Sequence, residues 1–244
     1  MATRTHPVAP RHSLGVLREL PQYLKRPAIL APVGLRSREG WAALGMLEAL
    51  HVGGLLLVVL PLITFWQQAM QLPTPDAFEK LPSGWLLPFT ILIAPVAEEI
   101  AFRGWQTGYP RALWLLGGGV LFAVLTASAA AMAPLVLSGL VLSGLVLAVL
   151  VGAIGGWIAL RKRRMPPGWY VAAYPAVFWI AALIFAGVHL SNYPSISVLS
   201  LPLVLPQLWA ALLLGFTRQR IGLPAAMLQH AGANAATMLL VHLG

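Results

Sequence analysis

Apolar residues fall along this chain in long stretches broken by short polar connectors. About 20 apolar residues suffice to cross the hydrocarbon core of a bilayer as a helix. Seven stretches meet that length, at roughly 41–66, 84–109, 112–131, 134–160, 170–190, 197–217 and 223–243. The second ends in charged residues and requires that end to be buried among other helices. A short apolar turn at Pro134 separates the third and fourth, which are therefore expected to form a hairpin. The pattern predicts an all-α, polytopic transmembrane helical bundle of about seven spans. It shows no internal repeat and no long polar insert that would make a separate soluble domain.

Composition agrees with the pattern. Of 244 residues, 59% are apolar and 9% charged, and the mean hydropathy is +0.79. A soluble domain carries about 25% charged residues, so most of this surface cannot face water. Lysine and arginine number 16 against 7 acids. The bases are clustered: Arg4, Arg11, Arg18, Lys25, Arg26, Arg36 and Arg38 precede the first span, and Arg161, Lys162, Arg163 and Arg164 form a run. Bases that flank apolar spans are topology signals and lipid-headgroup contacts, and this placement argues against nucleic acid as a partner. Residues 1–40 read as a basic cytoplasmic or interfacial segment, and 41–244 as one transmembrane domain. The early segment holds no apolar core followed by a cleavage site. Within it, Arg11–Arg26 is either a short surface helix with Leu14, Leu17, Leu20 and Leu24 on acyl chains, or a disordered basic tail. No cysteine is present, which excludes disulfides and thiolate chemistry.

The positive-inside rule then orients the spans. With the basic N-terminus in the cytoplasm, Asp76 and Glu79 fall outside, Arg111 inside, and the uncharged turn near 132–134 outside. Arg161–Arg164 fall inside, 191–196 outside, and Arg218 and Arg220 inside. Every basic connector lands on one side, leaving the C-terminus outside.

Ionisable groups inside spans cost at least about 2.5–3.5 kcal/mol each by insertion scales and are functional candidates by default. Glu99 and Arg103 are i and i+4 with the acid first, the favourable order for an ion pair. Glu98 points about 100° around the helix from Glu99. It has no local partner, and an acid in that position is a usable general base. On the fifth span Phe185 precedes His189 by four positions. On the seventh, His230 and Asn234 share a face among small residues that permit close helix approach. If Pro175 and Pro224 begin their helices, His189 lies about 21 Å and His230 with Asn234 about 10–15 Å from the cytoplasmic side. Glu98 falls near mid-membrane, so one shared polar pocket is expected. Glu48 and His51, i and i+3 in the first span, read as a structural or interfacial pair.

The ordered set Glu-Glu-x-x-x-Arg, Phe-x-x-x-His and His-x-x-x-Asn, each on an apolar helix, resembles the CPBP intramembrane proteases. These are bacterial relatives of the type II CAAX prenyl endopeptidase. Supporting detail includes Glu98-Glu99-Ile100-Ala101-Phe102-Arg103-Gly104-Trp105, and Leu214-Gly215-Phe216 leading to Ile221-Gly222-Leu223. The resemblance implies an intramembrane endopeptidase of the bacterial inner membrane, acting near the cytoplasmic half of the bilayer on a membrane-associated peptide or protein. It makes Glu98 the base that activates water, with His189 assisting. His230 and Asn234 become oxyanion donors, and Glu99 with Arg103 structural support. Glu98, His189 and His230 also offer zinc an O, N, N set with an open position. The metal-free scheme is preferred, because asparagine suits oxyanion donation better than zinc ligation. Neither the substrate nor the oligomeric state is legible.

One departure from the family pattern concerns spacing. His189 follows Glu98 by 91 positions, and where the family's histidine commonly falls stands Thr126. An inserted hairpin at about 112–160 accounts for this and preserves the direction of the helix that bears His189. Two other readings compete with the protease. One is a non-catalytic binding or immunity protein on the same fold. The other is a proton-coupled transporter, disfavoured by the lack of pseudo-symmetric halves.

Overall fold

The computed structural model describes residues 15–77, 79, 81–131 and 136–243, and every regular element among them is helical. Six helical segments are long and apolar enough to cross a membrane: Arg38–Ala69, Gly84–Arg103, Pro110–Ser128, Val141–Leu160, Gly168–Asn192 and Val198–Arg220. They correspond to the first six stretches expected. The seventh is also a helix, α10 (Leu223–Leu243), but Gln229, His230 and Asn234 dilute its apolarity, so it is not among the six.

Two compact units divide the chain: residues 1–103 with 174–244, and residues 104–173. The second unit is built on α6 (Pro110–Ala131) and α7 (Val136–Leu160), which pack against each other. The expected turn at Pro134 lies outside the described residues. Small residues bring the two helices close. The Trp114 indole N–H donates to the Gly152 carbonyl at 3.1 Å, and its ring fills the space that a side chain at Gly156 would need.

In the first unit, α10 contacts α2 (Arg38–Gly54), α5 (Ala94–Arg103) and α9 (Leu205–Arg220). Ser37 caps α2, its hydroxyl accepting from the Gly40 N–H at 3.0 Å, as serine does best at a helix start. The last carbonyls of α9 have no partner within the helix. The Val33 and Gly34 N–H groups take the carbonyls of Arg220 and Ile221, and the Leu30 N–H bonds Gln219 Oε1. Arg220 ties Glu19 at 3.0 Å to Glu39 at 2.9 Å. The segment that precedes α2 is thereby strapped over the basic end of the unit.

Helix α1 (Gly15–Lys25) belongs to that strap. Its inward face is Val16, Leu20 and Tyr23. Tyr23 packs its ring on Phe178 and Phe216, with centroids at 5.3 and 5.0 Å, and its hydroxyl lies 3.4 Å from that of Tyr174. Leu20 is therefore covered by protein, not by acyl chains as the sequence suggested, while Leu17 and Leu24 are half-buried. Leu14 lies outside the described residues. The physical reason is that an aromatic pocket on α8 (Gly168–Val188) and α9 offers Tyr23 a better partner than the interface.

Close packing here yields a testable cost. A Cβ at Gly215 would lie 2.6 Å from the Phe178 ring, itself 1% exposed. Gly215→Ala is expected to destabilise the fold by about 1–3 kcal/mol, read as a lowered thermal midpoint of the detergent-solubilised protein.

Candidate active site

The site begins with the helix that carries the two adjacent acids. Glu99 and Arg103 pair at 2.7 Å, as their i, i+4 spacing requires. The Arg103 guanidinium also lies over the Phe185 ring, 4.1 Å from its centroid, a cation–π arrangement that suits a charge removed from water. Both members of the pair are buried. Glu99 accepts a second time, from His230 Nδ1 at 3.0 Å. One fully buried acid thus neutralises an arginine and sets the orientation of a histidine on α10.

Glu98 faces the other way and meets both histidines. Its Oε2 lies 3.9 Å from His189 Nε2 and 3.8 Å from His230 Nε2. That oxygen is buried and has no hydrogen-bond partner within the protein. The Nδ1 atoms of the two rings are already committed. His189 Nδ1 lies 2.7 Å from the Phe185 carbonyl, an acceptor only, so that nitrogen carries hydrogen. His230 Nδ1 meets the Glu99 carboxylate by the same logic. Each ring therefore turns Nε2 toward Glu98, as a lone pair when Nδ1 alone carries hydrogen and as a donor when both nitrogens do. Two imidazole nitrogens and a carboxylate oxygen converge on one space.

Asn234 is held by backbone. Its Nδ2 donates to the Thr90 carbonyl at 2.9 Å. Residues Phe89–Ile93 form a π-helical turn, in which the Ala94 N–H bonds the Phe89 carbonyl. The next carbonyl, that of Thr90, would pair with residue 95, which is proline and has no N–H. Wide π turns of this kind recur at functional sites. A local defect fixed by Pro95 thus supplies the acceptor that orients Asn234, leaving a second amide hydrogen for another partner.

The structure therefore brings Glu98, His189, His230 and Asn234 around one cavity of about 610 Å³. Glu99 and Arg103 lie directly beneath. Pro175 is inside α8, which begins at Gly168, so the expected depth of His189 is corrected from about 21 Å to about 31 Å along the helix. Thr126 is exposed and bonds only to carbonyls of its own helix, Phe122 and Ala123. His51, set aside on sequence as a structural residue, lines the same cavity, is 1% exposed, and has no partner at Nδ1. Glu48 packs one turn earlier, its carboxylate where a Cβ on Gly232 would sit. The rule that ionisable residues in spans are functional candidates was the signal that pointed to both.

The separations of 3.8 and 3.9 Å lie between the about 3.4 Å of tetrahedral zinc donors and the about 4.6 Å of two partners of one water at about 2.8 Å. Among the described residues no group of three His, Asp or Glu side chains is arranged to hold a metal.

Residues 80–174 match the family model described as type II CAAX prenyl endopeptidase Rce1-like. This is the family that the motif order resembles. The match takes in the two adjacent acids and the α6–α7 unit, and it ends before His189, His230 and Asn234. No curated protein and no solved structure matches the chain.

Proposed function

We propose that this chain, Rce1-like over residues 80–174 and built of helices able to cross a bilayer, is an intramembrane endopeptidase. It hydrolyses a peptide bond of a membrane-associated substrate. The observation that carries this reading is the convergence of Glu98 Oε2 with the Nε2 atoms of His189 and His230 at 3.9 and 3.8 Å, in a cavity walled mostly by apolar side chains.

In the proposed reaction Glu98 takes a proton from water as the oxygen attacks the scissile carbonyl, and later gives it to the leaving amine. His189, fixed through Nδ1, orients the water through Nε2. The oxyanion meets the free amide hydrogen of Asn234 and, when its Nε2 carries hydrogen, His230, whose Nδ1 Glu99 holds. Donors held in this way act with little reorganisation, because their positions are set before substrate binds.

The test compares membrane and secreted peptides from cells carrying the wild-type chain and cells carrying Glu98→Gln. Peptides that disappear with the substitution identify the substrate, and identical profiles would sink the proposal. On the metal question, purified active protein is expected to contain less than stoichiometric zinc by elemental analysis and to keep its activity in a chelator. Zinc lost together with activity would overturn the metal-free scheme.

A further inference from the structure

An intact helix bonds its own carbonyls to its own N–H groups, so cleavage requires a stretch of main chain in which those bonds are open. In a cavity walled mostly by apolar side chains, each freed N–H or C=O costs several kcal/mol unless it meets a partner. A site that cuts such a segment therefore needs polar groups that its own fold leaves unused.

Several polar side chains of the lining are spent on the protein's own backbone. Gln67 on α3 (Leu60–Ala69) donates to the Pro73 carbonyl at 2.6 Å. The Thr90 hydroxyl donates to the carbonyl of Leu86 on α4 (Ser83–Pro88) at 2.6 Å, and that of Thr237 to the Ala233 carbonyl at 2.9 Å. Besides Glu98 Oε2, two buried polar atoms of the lining have no partner among the described residues: His51 Nδ1 on α2 and Gln207 Oε1 on α9. Buried polar atoms nearly always have partners, and each exception calls for a reason. Neither residue enters the reaction described above. Their placement is nonetheless fixed. The Trp209 indole N–H donates to the His51 carbonyl at 3.0 Å, and Gly54 leaves the space that this indole fills. Helix α9 is thus keyed into α2 at the turn that carries His51. His230 and Arg103 lie near enough to act on His51 electrostatically, which puts its ring beside the reaction centre.

We propose that His51 and Gln207 form a main-chain subsite, which hydrogen-bonds N–H and C=O groups of an extended, apolar polypeptide segment next to the scissile bond. A carboxamide offers an acceptor and a donor from one end, and a neutral imidazole offers one of each on its ring. Each therefore matches a peptide unit whatever side chain that unit bears. Recognition here tolerates sequence and demands backbone. The identity of the ligand rests on the protease reading, whereas the two unpartnered groups are present whatever the reaction.

The test measures binding without turnover, on the Glu98→Gln protein in detergent. The probe is a fluorescently tagged pentapeptide amide of alternating leucine and alanine, with analogues that each replace one amide N–H by an ester oxygen. The pentapeptide is expected to bind, and an ester at one or two positions to weaken binding about tenfold, the cost of a buried acceptor left unmet. Gln207→Leu, added to Glu98→Gln, should erase the ester penalty at one position, and His51→Phe should erase it at one position. The thermal midpoint of the ligand-free protein separates this role from a structural one. Replacing an unpartnered polar atom by an apolar group of similar size is neutral or stabilising, so Gln207→Leu should leave the midpoint unchanged or raised. The proposal is overturned if the pentapeptide does not bind, if no ester weakens binding, if the penalties survive either variant, or if Gln207→Leu lowers the midpoint. Equal binding of amide and ester chains would make the cavity a site for any apolar chain, without main-chain recognition. Should Glu98→Gln leave turnover undiminished, the protease reading falls alone, because the ester effect does not depend on cleavage.

Discussion

Replacing Glu98 by glutamine is expected to lower the cleavage rate by about 10²–10⁴-fold, the usual contribution of a positioned general base, while the protein stays folded in the membrane. The structure explains why the two effects separate. Glu98 Oε2 receives no hydrogen bond from the protein and faces two imidazole nitrogens. An amide of the same shape fills the same space, so packing is kept. The check is a pair of measurements on one preparation: turnover of a peptide identified by the wild-type comparison, and the thermal midpoint in detergent. Undiminished turnover would remove Glu98 from the chemistry. A midpoint that collapses would instead make Glu98 a structural residue.

Glu99→Leu is expected to do the reverse and destabilise the fold by about 3–5 kcal/mol, the cost of leaving a buried partner charge unpaired. Arg103 would keep its place against Phe185 without the carboxylate at 2.7 Å, and His230 would lose the acceptor at 3.0 Å that sets its ring. The double variant Glu99→Leu with Arg103→Met should recover much of the stability, since replacing both members of a buried pair by apolar groups is often neutral. It should not recover cleavage, because His230 remains unoriented. Recovery of both would show that Glu99 acts only through Arg103. An unchanged midpoint in Glu99→Leu would refute the support role altogether.

These two neighbours show how the sequence divides labour within a single helix turn. The i, i+4 spacing of Glu99 and Arg103 was sufficient to anticipate their pairing, because helix geometry places them one above the other whatever lies outside. That Glu98 would be left over was equally legible. Which groups it would face was not, since His189 and His230 come from helices whose rotation and depth are set by packing. His189 illustrates the point: reading Pro175 as a helix start misplaced it, because α8 continues through that proline to Gly168. Asn234 shows a middle case. Its partner carbonyl is freed by a feature of the local sequence, Pro95 after Ala94, but only the approach of α10 to the π turn turns that feature into a contact.

The sequence by itself determined that the chain is helical and lies in a membrane, which polar residues sit inside the spans, in what order, and which of them share a helix face. Hydropathy and a period of 3.6 residues are local properties, and a single chain displays them without reference to any fold. Tertiary structure decided the rest. It brought Glu98 to two histidines 91 and 132 positions away, and drew His51 into their cavity. It turned the inner face of α1 onto protein instead of lipid. Each of these depends on how far one helix slides and turns against the next, which is set by side-chain packing across the interface and is not encoded in the pattern of either helix alone.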